Sequence, residues 1–156
     1  MKYTIFQSSI CDLIIIGDKD TIETIAFDNP KTRALTDLLE LDDSEFRDLT
    51  SQLERYFLGD LQKFHVNLNL QGTPFQKRVW KELLNIPYGE TVSYKELAQR
   101  CDTPKAYRAV GTANRMNNFS IVIPCHRVIN SNGELGGFAR NLDIKKELLR
   151  VEGIDI

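Results

Sequence analysis

One cysteine in this chain is followed directly by a histidine, within the run Pro124-Cys125-His126-Arg127. A cysteine reacts as its thiolate, and a neighbouring imidazole is a suitable acceptor for the thiol proton. The pair lies in an apolar stretch from Ile121 to Ile129, which predicts a strand and a sulfur shielded from water. Buried cysteine is also a common packing residue, so the pair alone fits either an activated nucleophile or a structural core.

The other two cysteines, Cys11 and Cys101, add no metal site or disulfide framework. Three cysteines cannot all be paired, and the chain lacks the close Cys and His spacings that bind zinc. The apolar run Leu13 to Ile16 is too short for a signal peptide, and no stretch reaches the roughly 18 apolar residues of a membrane span. We therefore expect free thiols, no metal, no cofactor and a cytoplasmic, monomeric protein that does not bind membranes.

The charge of the chain is unevenly distributed along its 156 residues. Residues 1–70 carry 7 Lys and Arg against 13 Asp and Glu, a net charge of −6, whereas residues 71–156 carry 13 against 9, a net charge of +4. A positive half is compatible with a phosphate-bearing partner, and a negative half is not. The length is sufficient for two small domains, and Gln71-Gly72 is the predicted linker.

The first half has the pattern of a small antiparallel sheet with helices. Apolar runs at residues 3–9, 12–16 and 21–27, separated by polar turns, predict three strands, and the alternation in residues 64–70 predicts a last, half-buried strand. In that strand His65 should be exposed rather than a ligand. Asp42 with Glu45 predicts the start of a helix that continues to Tyr56.

The second half is mainly helical, with clear start signals. Thr73, Pro74 and Gln76 form the pattern of a capping box with proline at the first helical position, opening a helix to about Ile86. Ser93 and Glu96 predict a short helix to about Arg100, and Thr103-Pro104 predicts a third helix through Arg115. Two short helices in tandem suggest a helix-turn-helix motif. The small residues of the second one, Gly111 among them, fit close approach to DNA or ordinary helix packing.

Five motifs in order now resemble the methylated-DNA–protein-cysteine methyltransferases, which repair O6-alkylguanine and are consumed by the reaction. The motifs are Gly89 to Tyr94, Tyr107 to Gly111, Asn117, Pro124 to Val128, and Leu149 to Gly153. The resemblance implies an α/β N-terminal domain at 1–70. It implies a mainly α, winged-helix-like C-terminal domain with helix-turn-helix at 73–156, which binds DNA and transfers the alkyl group.

Carried over by residue, the resemblance implies that Cys125 receives the alkyl group, His126 removes the thiol proton through a water, and Glu152 orients the imidazole. Asn117 would hold the turn that presents the cysteine, and Tyr94 would contact a phosphate and donate its hydroxyl to the guanine. Arg108 would fill the space left by a flipped nucleotide. Further DNA contacts are predicted at Lys95, Gly111, Arg115 and Ser131, and a base pocket at Val128, Phe138 and Ala139.

Three other functions are weighed against this prediction. A cysteine hydrolase would also use Cys, His and an acid, but it would not require tandem capped helices with an arginine in the second. A transcriptional regulator would be expected to carry a further domain. A non-enzymatic binder of alkylated DNA is the closer alternative, and it is distinguished by the presence of Cys125, which such related binders lack. The implied partner is double-stranded DNA containing O6-alkylguanine, with O4-methylthymine as a further candidate lesion.

Overall fold

The N-terminal sheet is organised around one continuous apolar strand. In the computed structural model, which describes residues 1–136 and 142–156, β1 (Lys2–Phe6), β2 (Leu13–Gly17) and β3 (Ile22–Phe27) pair in antiparallel order. Every residue of β2 is buried because this strand lies between the other two and is covered on both faces. A strand of this kind is uniformly apolar rather than alternating. The three predicted strands are confirmed.

The fourth strand of this sheet was not predicted. β4 (Glu40–Leu41) pairs in parallel with β1, so the strand order is β3-β2-β1-β4 and the sheet is mixed rather than antiparallel. The predicted strand at residues 64–70 is wrong, because this segment makes a single bridge, from Leu68 to Ile22. Part of its backbone bonds to a side chain instead. The amide of buried Gln52 accepts the His65 N–H at 2.8 Å and donates to the His65 carbonyl at 3.0 Å. His65 is exposed, as predicted.

Two helices accompany the sheet; the first begins at a side-chain cap, and the second follows a 3₁₀ turn that begins at one. Asn29 and Thr32 form a capping box at the start of α1 (Pro30–Ala34). The Asp42 carboxylate accepts the Ser44 N–H at 3.1 Å and starts a 3₁₀ turn that leads into α2 (Arg47–Phe57). The predicted start and end of this helix are therefore close to those observed.

The described residues of the C-terminal part form four α-helices and a short two-stranded sheet. The helices are α3 (Pro74–Leu83), α4 (Tyr94–Arg100), α5 (Tyr107–Arg115) and α6 (Leu142–Val151), and β5 (Val92–Ser93) pairs in parallel with β6 (Val128–Ile129). The predicted capping box is present, since Thr73 accepts the Gln76 N–H and Gln76 accepts the Thr73 N–H. No helix in the described part of the chain is long and apolar enough to cross a membrane.

The predicted cap of α5 is wrong. The helix begins at Tyr107 rather than near Thr103, and Ala106 precedes it without a side-chain cap. Residues 103–106 form a separate turn, closed by a 2.8 Å bond from the Ala106 N–H to the Thr103 carbonyl. The Thr103 hydroxyl is buried without a hydrogen-bond partner in the described structure, so it caps nothing.

The chain divides into two compact units. One comprises residues 1–70 and 118–120, and the other comprises residues 71–117 and 121–156. The short return segment joins the first unit through β3, where the Ile25 N–H donates to the Asn118 carbonyl at 2.8 Å and the Ser120 N–H donates to the Ile25 carbonyl at 2.9 Å. The predicted division into residues 1–70 and 73–156 assigned this segment to the second domain.

Candidate active site

Cys125 is presented by a turn and not by a strand. Residues Cys125–Arg127 form a single 3₁₀ turn after Pro124, and Cys125 is 6% exposed. Just before it, Ile121 has a φ of +74°, a left-handed conformation that costs a β-branched residue about 1–3 kcal/mol. The predicted strand across residues 121–129 is therefore wrong except at Val128–Ile129, because the chain must turn to present the cysteine.

The Glu152 carboxylate is the hydrogen-bonding centre of the site. Its Oε2 lies 2.6 Å from His126 Nε2, and Arg127 donates from Nε to Oε1 at 2.8 Å and from Nη2 to Oε2 at 3.2 Å. The Gly89 N–H donates to Oε1 at 3.0 Å. Burial by itself raises the pKa of Glu152, but the bonds from His126 and Arg127 outweigh it and lower the pKa to about 2. This carboxylate is therefore ionised at neutral pH.

These contacts determine the protonation of His126. Burial lowers the pKa of His126, against the opposing effect of Glu152, so the imidazole is neutral at pH 7. Because the carboxylate can only accept, the proton of the neutral ring lies on Nε2. Nδ1 is then the acceptor of the ring, which is the protonation state that a base for the neighbouring thiol requires.

The thiol of Cys125 is protonated at neutral pH. Burial raises its pKa, while a hydrogen bond from the Asn117 side chain and the charge of Lys145 act in the opposite direction. Asn117 also donates from Nδ2 to the Ile123 carbonyl at 2.8 Å, so it bonds the segment that leads into the turn. The site therefore needs a base to generate the thiolate.

Lys145 is a functional candidate that the sequence analysis missed. It lies on the buried side of α6, is 0% exposed, and donates from Nζ to the Val128 carbonyl at 2.6 Å and the Leu135 carbonyl at 2.5 Å. Burial lowers its pKa to about 8, although the charge of Cys125 opposes that shift. The sequence signal for this buried lysine was its place at a helix position normally taken by an apolar residue, three residues before Leu148.

Two glycines leave space beside the Tyr94 ring that a side chain would fill. A Cβ on Gly111 would lie 3.6 Å from the ring, and a Cβ on Gly136 would lie 3.1 Å from it and 2.9 Å from Oδ1 of Asn130. Gly136 also has a φ of +70°, which disfavours any side chain. The Lys145 Nζ is 5.9 Å from the ring centroid. Burial, and then the charge of Cys125, raise the pKa of Tyr94, so the hydroxyl keeps its proton at neutral pH.

The predicted DNA contacts differ in their exposure. Lys95 on α4 and Ser131 are exposed, as are Arg108 and Arg115, which lie seven residues apart on one face of α5. Gly111 is buried against Tyr94 instead, although its spacing of three and four residues from these arginines places it on the same side of that helix. In the base pocket, Val128 is buried and its carbonyl is bound by Lys145. Phe138 and Ala139 lie outside the described residues.

The site has the composition of a proton-transfer centre and not of a metal centre. Within residues 1–136 and 142–156 there is no group of His, Cys, Asp and Glu able to hold a metal ion. The unit that contains Cys125 instead buries four ionisable side chains, those of His126, Arg127, Lys145 and Glu152. Such a group can activate a thiol and stabilise charge that develops beside it.

Two family models together match almost the whole chain. The one described as "6-O-methylguanine DNA methyltransferase, DNA binding domain" matches residues 74–154. The one described as "6-O-methylguanine DNA methyltransferase, ribonuclease-like domain" matches residues 1–70.

Relatives and solved structures agree with these matches. The methylated-DNA–protein-cysteine methyltransferase of Methanosarcina mazei is 48% identical over 154 residues, covering 97% of each chain. The protein of that name from Mycobacterium bovis is 50% identical over 111 residues, covering 71% of this chain and 67% of that one. The crystal structure of Mycobacterium tuberculosis OGT in complex with DNA has a TM-score of 0.90 at 40% identity, covering 97% of this chain and 92% of that one.

A buried cysteine next to a buried His-Glu pair, in a unit that matches a DNA-binding domain, identifies the class of protein as the DNA alkyltransferases. The chain belongs to the methylated-DNA–protein-cysteine methyltransferase family, a family of enzymes. The family resemblance and the fold class predicted from the sequence are confirmed.

Proposed function

We propose that this protein removes the alkyl group from O6-alkylguanine in double-stranded DNA and retains it on Cys125. The observation that carries the proposal is the buried His126–Glu152 pair directly after Cys125, with 2.6 Å between His126 Nε2 and Glu152 Oε2. This pair supplies a neutral, oriented base beside a thiol that burial keeps protonated. The substrate class comes from the family.

The transfer forms one bond and breaks one. The Sγ atom of Cys125 bonds to the alkyl carbon while the bond between that carbon and O6 breaks. The thiol proton passes to Nδ1 of His126 through a water and ends on the departing guanine, so the products are a thioether and an unmodified base. A thioether has no activated carbonyl for water to attack. The thiol is therefore not regenerated, and each protein molecule reacts once.

The acidity of the thiol accounts for little of the rate. Even a thiol with its pKa lowered to about 7 would gain only about threefold in reactivity at neutral pH, because each thiolate becomes a weaker nucleophile as its pKa falls. The pKa of Cys125 is raised, so that gain is absent. We propose that the acceleration comes from holding sulfur in line with the alkyl carbon and from stabilising charge on the guanine. Asn117 would serve the first role, and the Tyr94 hydroxyl would serve the second.

The lesion must leave the duplex before it can react. A base inside the stack cannot reach a buried thiol, so the nucleotide is flipped out, at a cost of a few kcal/mol. We propose that Arg108, exposed on α5, enters the stack in its place, and that Lys95, Arg115 and Ser131 contact the backbone. Binding through phosphates should weaken steeply as salt rises, whereas reaction with free O6-benzylguanine should change little.

Intact-protein mass spectrometry tests the proposal. The protein is mixed with duplex DNA carrying one O6-methylguanine, and the expected result is one added methyl group per molecule, located on Cys125 after proteolysis. Cys125→Ser should bind the duplex without gaining mass. Cys101→Ser is the matched control, because Cys101 is the other buried cysteine and should be dispensable.

Three results would contradict the proposal. Multiple turnovers would indicate a hydrolase with a labile thioester. Binding without any added mass would indicate a non-enzymatic lesion binder. A methyl group on Cys11 or Cys101 would assign a different nucleophile. Action on O4-methylthymine, the monomeric state and the cytoplasmic location stay predictions.

A further inference from the structure

Arg127 is a buried arginine to which the proposed function gives no role. It directly follows His126 in the 3₁₀ turn and is 6% exposed. Its guanidinium binds Glu152 through two nitrogens, from Nε to Oε1 at 2.8 Å and from Nη2 to Oε2 at 3.2 Å. The third nitrogen, Nη1, donates to the Ile86 carbonyl at 2.6 Å. The positive charge is therefore fixed against the same carboxylate that binds the His126 ring.

The ion pair of Arg127 and Glu152 is enclosed by the neighbouring chain. The Arg127 Cζ atom lies 5.9 Å from the centre of the Tyr88 ring, and burial raises the pKa of Tyr88, so this ring is uncharged at neutral pH. The Tyr88 hydroxyl donates to the Val151 carbonyl at 3.0 Å, which ties its loop to the end of α6. Because the pair is buried, solvent screens its charges only weakly, and they act strongly on neighbouring groups.

The balance of charge in this pair decides the protonation of His126. With Arg127 present, the Glu152 carboxylate is already neutralised, so a proton on His126 would add an uncompensated positive charge to a buried cluster. Without Arg127, the carboxylate would itself be uncompensated, and uptake of a proton by the His126–Glu152 pair would neutralise it. An uncompensated buried charge is strongly unfavourable. Loss of the arginine should therefore reverse the preferred protonation of the pair.

The added proton would block the base wherever it resided. On the ring it would form an imidazolium, in which both nitrogens carry a hydrogen. On Glu152 it would form a carboxylic acid that donates to Nε2, and the hydrogen of the neutral ring would then lie on Nδ1. In either arrangement, Nδ1 of His126 has no lone pair with which to accept the thiol proton of Cys125.

We infer that Arg127 is a positioning residue, whose charge balances Glu152 and so keeps His126 in the neutral form that accepts the thiol proton. This inference rests on the function proposed above, in which His126 is the base for Cys125. The guanidinium suits the role because its charge is permanent and its two parallel bonds match the geometry of a carboxylate.

The charged and titratable groups that face His126 come from its own turn and from the end of the chain. Cys125 and Arg127 flank it in the turn, Lys145 lies on α6, and Glu152 directly follows that helix. Burial lowers the pKa of His126, Glu152 raises it, and the charges of Arg127 and Lys145 lower it further. The Lys145 ammonium bonds two backbone carbonyls, whereas Arg127 bonds the carboxylate itself. Arg127 is therefore the better placed of the two cations to balance Glu152.

NMR of the histidine rings tests the inference directly, because the chain contains two histidines. His65 is exposed and serves as the internal reference, and His65→Gln assigns the two sets of ring signals. In the wild type at pH 7, the ¹⁵N shifts should show His126 neutral with its hydrogen on Nε2. In Arg127→Met at the same pH, they should show a hydrogen on Nδ1, and the ring should titrate above about 6.5, the ordinary value for histidine.

The rate of alkyl transfer from free O6-benzylguanine gives the functional readout. Free base is used because it requires no DNA binding or nucleotide flipping. Arg127→Met should move the acid limb of the rate profile to higher pH, so transfer should slow about tenfold at pH 7 and much less at pH 9. Arg127→Lys keeps the charge without the two parallel bonds, so it should retain most of the wild-type limb.

The matched control is an arginine of the same unit that is paired at the surface. Arg78 donates to Asp102 at 2.5 Å, and both side chains are exposed. Arg78→Met should leave the His126 signals and the acid limb in place. The inference is overturned if Arg127→Met also leaves them in place, or if Arg127→Lys shifts them as far as Arg127→Met does, because the charge would then not be the cause.

A further variant keeps the test decisive if Arg127→Met does not fold. Arg127→Gln removes the charge but keeps an amide donor for Glu152, and circular dichroism establishes which variants are folded. The same shifts are expected for it, and unshifted signals would equally overturn the inference. If the wild type gains no alkyl group on Cys125, the proposed function fails. If it does, and neither neutral variant shifts the His126 signals, only the role of Arg127 fails.

Discussion

The two units of this protein bury different kinds of polar group. In the unit of residues 1–70 and 118–120, the buried polar side chains are the neutral Thr4, Thr36 and Gln52. In the other unit, the described residues bury one neutral amide and four ionisable groups, which are His126, Arg127, Lys145 and Glu152. Buried ionisable groups are expensive for a fold, so their concentration in one unit indicates where the chemistry takes place.

Two carboxylates with equally low pKa values, one in each unit, also differ in the burial of their partners. The pKa of Asp42 in the first unit and that of Glu152 in the second are both lowered to about 2. Asp42 is lowered mainly by bonds from Ser44 and Lys2 at the surface, whereas Glu152 is lowered by partners that are themselves buried. A low pKa therefore does not by itself identify a functional carboxylate, and burial of its partners is the better indicator.

The largest effect is expected from Glu152→Gln. This change leaves Arg127 buried opposite a neutral group, which should lower the free energy of unfolding of the C-terminal unit by about 3–5 kcal/mol. Trp80, the only tryptophan, is buried in that unit, so its fluorescence in a urea titration measures the loss. Asp42→Asn is the matched control and should change the unfolding midpoint, followed by circular dichroism, very little. Similar shifts for both variants would remove the contrast between the units.

Lowering the pH should protonate the Glu152 carboxylate and so destabilise the unit that contains it. The pKa of Glu152 is about 2 when folded and near 4.5 when unfolded, so its contribution is fully present above pH 4.5. That contribution, about 3 kcal/mol, is lost as the pH falls from 4.5 towards 2. The Trp80 urea midpoint measured across this range should therefore fall, and Glu152→Gln should flatten its pH dependence. A dependence that Asp42→Asn flattens equally would argue against a special role for the buried carboxylate.

Removing the Arg108 side chain should slow repair of duplex DNA but not the alkyl-transfer step itself. Arg108 is exposed and lies apart from the buried charges, so Arg108→Ala should leave the reaction with free O6-benzylguanine within about twofold. Repair of duplex DNA should slow about ten- to a hundredfold, because only the duplex requires the flipped base to be replaced in the stack. Rates of mass gain on the two substrates give the comparison. Equal losses on both would indicate that Arg108 is structural.

The smallest effect is expected at a helix cap. The Ser93 hydroxyl accepts the Glu96 N–H at 3.0 Å at the start of α4, directly before Tyr94. Ser93→Ala should lower the free energy of unfolding by about 1 kcal/mol, as measured by Trp80 fluorescence in urea, and Ser93→Thr should restore most of it. An unchanged midpoint would show that α4 is held by its packing alone.

Local patterns predicted the elements that depend on local bonds. The capping box of Thr73 and Gln76 and the cap at Ser93 lie within one helical turn, so sequence contains all the information that they need. The strand predicted at residues 64–70 does not form, because part of the backbone there hydrogen-bonds to the side chain of Gln52, which is remote in sequence. Thr103 failed as a cap for a related reason, since its hydroxyl is buried by tertiary packing.

The site was predictable where residues are adjacent and not where the fold brings them together. Cys125 and His126 are neighbours in sequence, and their pairing with Glu152 came from the family resemblance. Lys145 was missed because a lysine on a helix is ordinary until its burial is known. The turn at Cys125 was missed because nothing in the apolar composition of residues 121–123 indicates the positive φ of Ile121.

The return of residues 118–120 to the N-terminal unit has a consequence for biosynthesis. A ribosome delivers the first 70 residues early, but β3 acquires its bonds to Asn118 and Ser120 only after three helices of the other unit have been made. Domains that are continuous in sequence can complete folding as they emerge, and this one cannot. A fragment ending at Leu70 is therefore an unfinished domain, in which the outer edge of β3 at Ile25 is still open to a strand from another nascent chain.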